Sequence, residues 1–147
     1  MRIQIDGNEV FYGTGSGSPE DAARTLIFVH GAGFDHTIWV MPARYFARHG
    51  WRVVAVDLPG HGRSHGAALT SIEQMADWLA QLIDAVSPSQ QACVVGHSMG
   101  SLVGMSVAAR HADKVEKLAL LGTSAPMLSL IHISEPTRQE AISVAGV

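Results

Sequence analysis

The pentapeptide GHSMG at residues 96–100 carries the clearest chemical pattern in the sequence. It follows an apolar run at residues 92–95 and precedes a helical pattern that begins near Met99, which is the strand, turn and helix context of a G-x-S-x-G nucleophile elbow. A serine on so sharp a turn has a strained backbone, and residues larger than glycine two positions away would collide with the strand and the helix. The context predicts that Ser98 is a nucleophile, whereas the bare pattern fits an incidental glycine turn equally well.

A second glycine-rich segment, HGAG at residues 30–33, directly follows the apolar run at residues 26–29. Acyl transfer through a serine requires backbone N–H groups that hold the oxyanion of the tetrahedral intermediate. We expect the N–H of Met99 to be one donor and that of Ala32 to be the other, with Gly33 as the alternative to Ala32. Taken alone, these glycines would only turn the chain, and it is the elbow that favours the oxyanion interpretation.

The strands that must position these segments are indicated by apolar runs. Continuous runs of this kind are typical of strands covered on both faces, as in parallel sheets. Two short alternating segments around Asp6-Gly7-Asn8 predict an antiparallel hairpin before them. The four runs lie at residues 26–29, 53–56, 92–95 and 118–121.

Helical patterns alternate with these strands. The apolar positions of residues 72–86 recur at steps of three and four, and either Thr70 with Glu73 or Ser71 with Gln74 can form a capping box before them. Residues 37–48 predict a weaker helix, interrupted near Pro42, and residues 99–111 predict a third. The order of elements predicts the α/β fold class, with a mostly parallel, doubly wound sheet.

The motifs HGAG at 30–33, DLPGHGRS at 57–64 and GHSMG at 96–100, in this order and spacing, resemble the α/β-hydrolase superfamily. They are most similar to its esterase, lactonase and cofactor-free haloperoxidase branch, over residues 2–127. The resemblance implies an α/β-hydrolase fold truncated after about its sixth strand. It also implies that Ser98 is the nucleophile, that the N–H groups of Ala32 and Met99 form the oxyanion hole, and that Asp57 braces a loop rather than serving as the triad acid.

We expect four further residues near the nucleophile to contact substrate, without a catalytic role for the histidine among them: Gly31, Gly33, Phe34 and His97. His61 and His65 are spaced like a metal pair but lie in a glycine-rich loop with no third ligand in view, so we expect no metal site. We also expect no cofactor.

Composition excludes several classes of function. The length of 147 residues fits one domain. The net charge is −3 and the sequence has no run of basic residues, so we expect no binding of nucleic acid. A single cysteine, Cys93, excludes an intramolecular disulfide and a multi-thiolate zinc site. No apolar stretch approaches a membrane span or a signal sequence. We therefore expect a soluble, cytoplasmic protein whose partner is a small ester-like molecule.

The end of the sequence is inconsistent with a complete catalytic triad. In the family the acid and the histidine follow the elbow, yet after Ser98 the chain offers only His111, at the end of the elbow helix, and His132. Residues 128–138, LSLIHISEPTR, resemble the in-frame translation of a sequencing adapter, which residues 139–143 continue. We predict that residues 1–127 are the N-terminal part of one hydrolase domain. Residues 128–147 would then be a non-native, irregular tail that leaves the edge of the last strand unpaired.

Two functions remain open on the sequence alone. The first is a serine hydrolase that acts on an ester or related acyl substrate, for which this chain, lacking acid and base, would be an inactive fragment. The alternative is a non-catalytic relative that binds a small molecule. An intact elbow and oxyanion glycines disfavour the second function, because a binding protein needs neither.

Overall fold

The protein contains one mixed sheet with helices on both of its faces. The computed structural model describes residues 1–17 and 21–123, together with the backbone of residues 142–144. The strands are β1 (Arg2–Ile5), β2 (Asn8–Gly13), β3 (Thr25–Val29), β4 (Arg52–Val56), β5 (Ala92–His97), β6 (Val115–Leu121) and β7 (Ile142–Val144), and the helices are α1 (Val40–Arg48), α2 (Ile72–Val86) and α3 (Met99–Arg110).

The order of the strands across the sheet is β1-β2-β4-β3-β5-β6-β7. The β1–β2 and β2–β4 pairs are antiparallel, whereas every other pair is parallel. The predicted α/β class, with its N-terminal hairpin and mostly parallel sheet, is confirmed. At the hairpin, Ile5 pairs with Asn8, and the two residues between them, Asp6 and Gly7, have φ angles of 51° and 75°. Two positive φ angles define the tight turn that suits the twist of paired strands.

Successive residues of the central strands enter two separate cores, because side chains alternate across a sheet. In β3, Ile27 and Val29 contribute to the core that includes α2 and α3, whereas Leu26 and Phe28 face the core that includes α1. The α1 side is incompletely covered within the described residues. A cavity of about 250 Å³ remains there, lined by side chains that include Phe46, Trp51, Cys93 and Ala119.

Local interactions explain where the helices begin. Of the two predicted capping boxes, the structure contains half of that of Ser71: the Ser71 Oγ accepts the Gln74 N–H at 3.1 Å, but the Gln74 Oε1 accepts the Thr70 N–H instead of the Ser71 N–H. The predicted interruption near Pro42 is wrong. Pro42 is the third residue of α1, where proline is tolerated because the first-turn N–H groups have no acceptor within the helix. The irregular part instead precedes α1, as a 3₁₀ turn at His36–Trp39.

The outer edge of β6 is paired, contrary to our expectation of an unpaired edge. Residues 142–144 run parallel to it, with Leu118 opposite Ile142 and Leu120 opposite Val144. The free N–H and C=O groups of an edge strand can pair with any extended segment that reaches them, which explains why a segment predicted to be irregular pairs here. Residues 124–141 and 145–147, to which the rest of the tail prediction applies, lie outside the described residues.

No helix among the described residues has both the length and the apolar character needed to cross a membrane.

Candidate active site

Ser98 lies on a strained turn between β5 and α3. Its φ of 54° and ψ of −117° lie in a region that residues other than glycine rarely adopt. The turn requires glycine two residues before and two residues after Ser98. A Cβ at Gly96 would lie 2.2 Å from the carbonyl oxygen of Gly100, and a Cβ at Gly100 would lie 2.2 Å from the carbonyl oxygen of Val29. The local geometry is therefore that of the predicted elbow.

Hydrogen bonds to the neighbouring strand hold the turn in place. The Ser98 N–H donates to the Leu121 carbonyl at 3.0 Å. The Ser101 hydroxyl, which is fully buried, lies 2.8 Å from the Gly96 carbonyl oxygen and 3.0 Å from that of Leu121. Ser101 was not predicted from the sequence. The only available signal was a polar residue, three positions after Ser98, within a helix of mostly small and apolar residues.

The HGAG loop lies against the elbow. A Cβ at Gly31 would come within 3.2 Å of the Ser98 Cβ, so only a glycine allows so close an approach without displacement of the loop. Met99 is the first residue of α3, and its N–H has no acceptor inside the helix. Among residues 1–17 and 21–123, the Ala32 N–H has no acceptor either. Gly33, the alternative donor, has a φ of 76° and open space around it.

The His97 side chain packs between aromatic rings. Its ring centroid lies 5.9 Å from that of Phe34 and 6.4 Å from that of Trp39, both in edge-on geometry. A Cβ at Gly31 would lie 3.5 Å from its Nδ1. Phe34 is about half exposed, at 49%, and so forms the outer wall beside the elbow. The structure thus brings Gly31, Phe34 and His97 together next to Ser98, while Gly33 stands in the open.

The DLPGHGRS segment is built around a buried carboxylate. One oxygen of Asp57 accepts the backbone N–H of His36 at 2.7 Å and lies 2.9 Å from its Nδ1, while the other accepts the Arg63 N–H at 2.8 Å. Gly62 must lack a side chain, because its Cβ would lie 2.3 Å from the carboxylate. With these partners, Asp57 acts as the brace of its loop, as the resemblance implies.

Other titratable groups of the described residues are buried or have partners away from the Ser98 hydroxyl. His30 is fully buried, and burial lowers the pKa of its imidazole. His111 is 2.7 Å from the Asp77 carboxylate, and His61 is 3.1 Å from the Pro59 carbonyl oxygen. Within the described residues, no hydrogen bond joins the Ser98 hydroxyl to a histidine. Burial raises the pKa of the Cys93 thiol, which makes Cys93 a poor nucleophile.

One cluster has the composition of a metal site, although the sequence led us to expect none. The potential ligand atoms of Asp35, His36 and Asp57 all lie within 4.8 Å of one another. Each already has a structural partner: Asp35 accepts the Thr37 N–H at 2.8 Å, and His36 bonds Asp57. The hydrogen bonds of the two loops therefore account for the cluster.

Comparison with known proteins agrees with this geometry. The model of the alpha/beta hydrolase fold family matches residues 24–140. The chain belongs to this family. In the solved structure of the enol-lactonase from Burkholderia xenovorans LB400, an α/β hydrolase similar to this chain, 29% of the aligned residues are identical and the TM-score is 0.71. The alignment covers 81% of this chain and 45% of the lactonase.

Two curated relatives of this α/β hydrolase chain are bacterial hydrolases. The pimeloyl-[acyl-carrier protein] methyl ester esterase of Neisseria meningitidis is 39% identical over 113 residues, which are 74% of this chain and 40% of the esterase. The (E)-2-((N-methylformamido)methylene)succinate hydrolase of Acinetobacter baylyi is 28% identical over 150 residues, which are 97% of this chain and 54% of that enzyme. The chain thus spans about half the length of these relatives or less.

Proposed function

We propose that residues 1–127 are the N-terminal portion of a serine hydrolase that acts on an ester or related acyl substrate. The observation that carries this proposal is the strained φ of Ser98, the residue that directly precedes α3, with the HGAG loop against it. Strain of this kind persists only where surrounding structure imposes it, and it concentrates at functional sites. The names of the relatives, an esterase and a lactonase among them, support the same substrate class.

In the proposed reaction, the Ser98 hydroxyl attacks the acyl carbon and its proton passes to a histidine base. The N–H groups of Ala32 and Met99 hold the oxyanion of the tetrahedral intermediate. Collapse of the intermediate breaks the bond to the leaving alcohol, which takes the proton from the histidine. Water then hydrolyses the acyl-serine by the same steps. Gly31, Phe34 and His97 form the wall that the acyl group would contact.

We further propose that the base and its orienting acid belong to native sequence that follows residue 127 in the full-length enzyme and that residues 128–147 of this chain do not supply. No described histidine bonds the Ser98 hydroxyl, and loss of a triad member costs several orders of magnitude in rate. The 147-residue chain should therefore have negligible activity. The full-length gene product is the protein that contains residues 1–127 together with this base and acid.

Hydrolysis of p-nitrophenyl acetate by the full-length gene product tests the proposal. We expect Ser98→Ala to abolish turnover, because Ser98 is the nucleophile, and Ser71→Ala, which alters only a helix cap, to preserve kcat. A chelator should leave the rate unchanged, since no step uses a metal. Turnover of the Ser98→Ala variant equal to that of the wild type would refute the assignment.

A further inference from the structure

A second cavity, of about 310 Å³, lies between β2 and α1. Its wall includes Phe11 and Gly13 of β2 and Val40, Ala43 and Arg44 of α1. None of the residues that line it belongs to the HGAG or GHSMG segments. The cavity is therefore separate from the proposed active site, and we call it the β2–α1 cavity.

Two glycines shape the β2–α1 cavity. A Cβ at Gly15, where φ is 67°, would lie 2.3 Å from the Ala43 carbonyl oxygen, so the chain after β2 lies directly against α1. A Cβ at Gly13 would instead meet only the side chains of His36 and Ala55, at 3.6 and 3.9 Å. Because both of these residues line the cavity, part of the empty space is the space that a side chain at position 13 would fill.

The inner wall of the cavity is apolar. Ala43 and Ala55 are buried, and the side chains of Phe11 and Val40 extend the apolar surface that they begin. Transfer of an apolar group from water to such a surface is favourable. The inner wall is therefore suited to a hydrocarbon chain.

The rim of the cavity is positively charged. Within the described part of the chain, Arg44 has no carboxylate within ion-pair distance, and neither has Arg63, whose guanidinium lies 5.0 Å from the Phe11 ring centroid. No described Asp or Glu lines the cavity. The Asp57 carboxylate, which bonds His36, is fully buried and accepts backbone N–H groups. In a chain of net charge −3, this local excess of positive charge favours an anion.

From these features we infer that the β2–α1 cavity binds a small organic acid, with its carboxylate on Arg44 and its hydrocarbon chain on the inner wall. A guanidinium can donate two parallel hydrogen bonds to a carboxylate. The hydroxyl groups of Thr14 and Ser16, which also line the cavity, supply further donors. A phosphate ion would leave the apolar wall uncovered, and an alcohol would leave Arg44 without a charged partner. The inference does not depend on the proposed function.

Binding of hexanoate to the full-length gene product tests the inference, with the backbone ¹H–¹⁵N chemical shifts as the readout. We expect hexanoate to change the shifts of Gly13 and Ala43. Two matched probes separate chain from charge: 1-hexanol has the chain without the charge, and inorganic phosphate has the charge without the chain. Each should bind at least about 10-fold more weakly than hexanoate, because each lacks one of the two interactions.

Two substitutions test the rim and the inner space separately. Arg44→Gln should weaken hexanoate binding about 10- to 100-fold, because hydrogen bonds to a charged group are lost. Arg48→Gln is the matched control and should bind like the wild type, since Arg48 is an exposed residue of the same helix that does not line the cavity. Gly13→Leu should abolish binding, because the added side chain would occupy the cavity, while Tm changes little.

Three results would overturn the inference. They are equal affinities of Arg44→Gln and Arg48→Gln for hexanoate, phosphate binding as tight as that of hexanoate, and shift changes confined to Gly31 and Met99 at the elbow. Hexanoate should bind the Ser98→Ala variant as it binds the wild type. A failure of the proposed function, which would appear as unchanged turnover in Ser98→Ala, is therefore distinguishable from a failure of this inference.

Discussion

At the scale of single residues, Ser98 combines a reactive group with an unfavourable backbone conformation. Relief of such strain is worth about 1–3 kcal/mol, whereas a glycine costs about 0.4–1 kcal/mol through the entropy of the unfolded chain. We therefore expect Ser98→Gly to be more stable than Ser98→Ala by about 1 kcal/mol, although both lack the hydroxyl. Denaturant unfolding of the two variants measures the difference. A Ser98→Gly variant less stable than Ser98→Ala would show that the turn is not strained.

The sequence was sufficient to predict the position of Ser98 but not the bonds that hold it. The G-x-S-x-G spacing requires close approach, and the contacts of Gly96 and Gly100 show why. The bond of Ser101 to Leu121 and the pairing of His36 with Asp57 join residues 20 and 21 positions apart in the chain. Nothing local identifies such partners, because they depend on which strands become neighbours.

At the scale of elements, the site depends on how closely α3 approaches β3. Gly100 is the contact point, since its Cβ would lie 2.2 Å from the Val29 carbonyl oxygen. We expect Gly100→Ala to destabilise the protein by more than about 3 kcal/mol, because backbone would have to move. Gly104 in the same helix is the matched control. Its Cβ would meet side chains and no backbone, the end of Leu118 at 2.8 Å and Val94 at 3.6 Å, and alanine is the better helix former by about 1 kcal/mol.

Thermal unfolding of these two variants shows whether the loss of stability is specific to the contact between Gly100 and Val29. A large decrease in Tm for Gly100→Ala, with a small change for Gly104→Ala, is the expected result. Similar decreases in Tm for both variants would mean that α3 tolerates no added methyl group at all and that the elbow contact is not special.

The helices themselves were predictable from periodicity and caps. Pro42 was misjudged because its effect depends on its place in the helix, which the sequence left uncertain.

At the scale of the whole molecule, part of the sheet face on the α1 side is uncovered in the described structure. The cavity of about 250 Å³ between Trp51, Cys93 and Ala119 lies there. The helix α1 beside it exposes the apolar side chains of Met41 and Tyr45, and exposed apolar surface promotes association. We expect the 147-residue chain to bind the dye ANS, to aggregate and to melt without a sharp transition. The full-length gene product should not bind ANS. A 147-residue chain that is a soluble monomer with a cooperative melt and no ANS fluorescence would contradict this prediction.

The pairing of β7 with β6 was not predictable from the sequence. Residues 142–144 lie in a segment whose resemblance to an adapter predicted irregular structure, yet strand pairing requires only an extended backbone and a free edge. The predicted boundary between residues 1–127 and 128–147 stays a prediction, because the residues on either side of it lie outside those described.

The nucleophilic role of Ser98 is tested most directly by covalent labelling. A fluorophosphonate probe reacts with an activated serine, and mass spectrometry of the labelled full-length gene product identifies the modified residue. We predict a single adduct on Ser98, lost in Ser98→Ala and retained in Ser71→Ala. An adduct on another residue, or labelling that persists in Ser98→Ala, would contradict the assignment of Ser98 as the nucleophile.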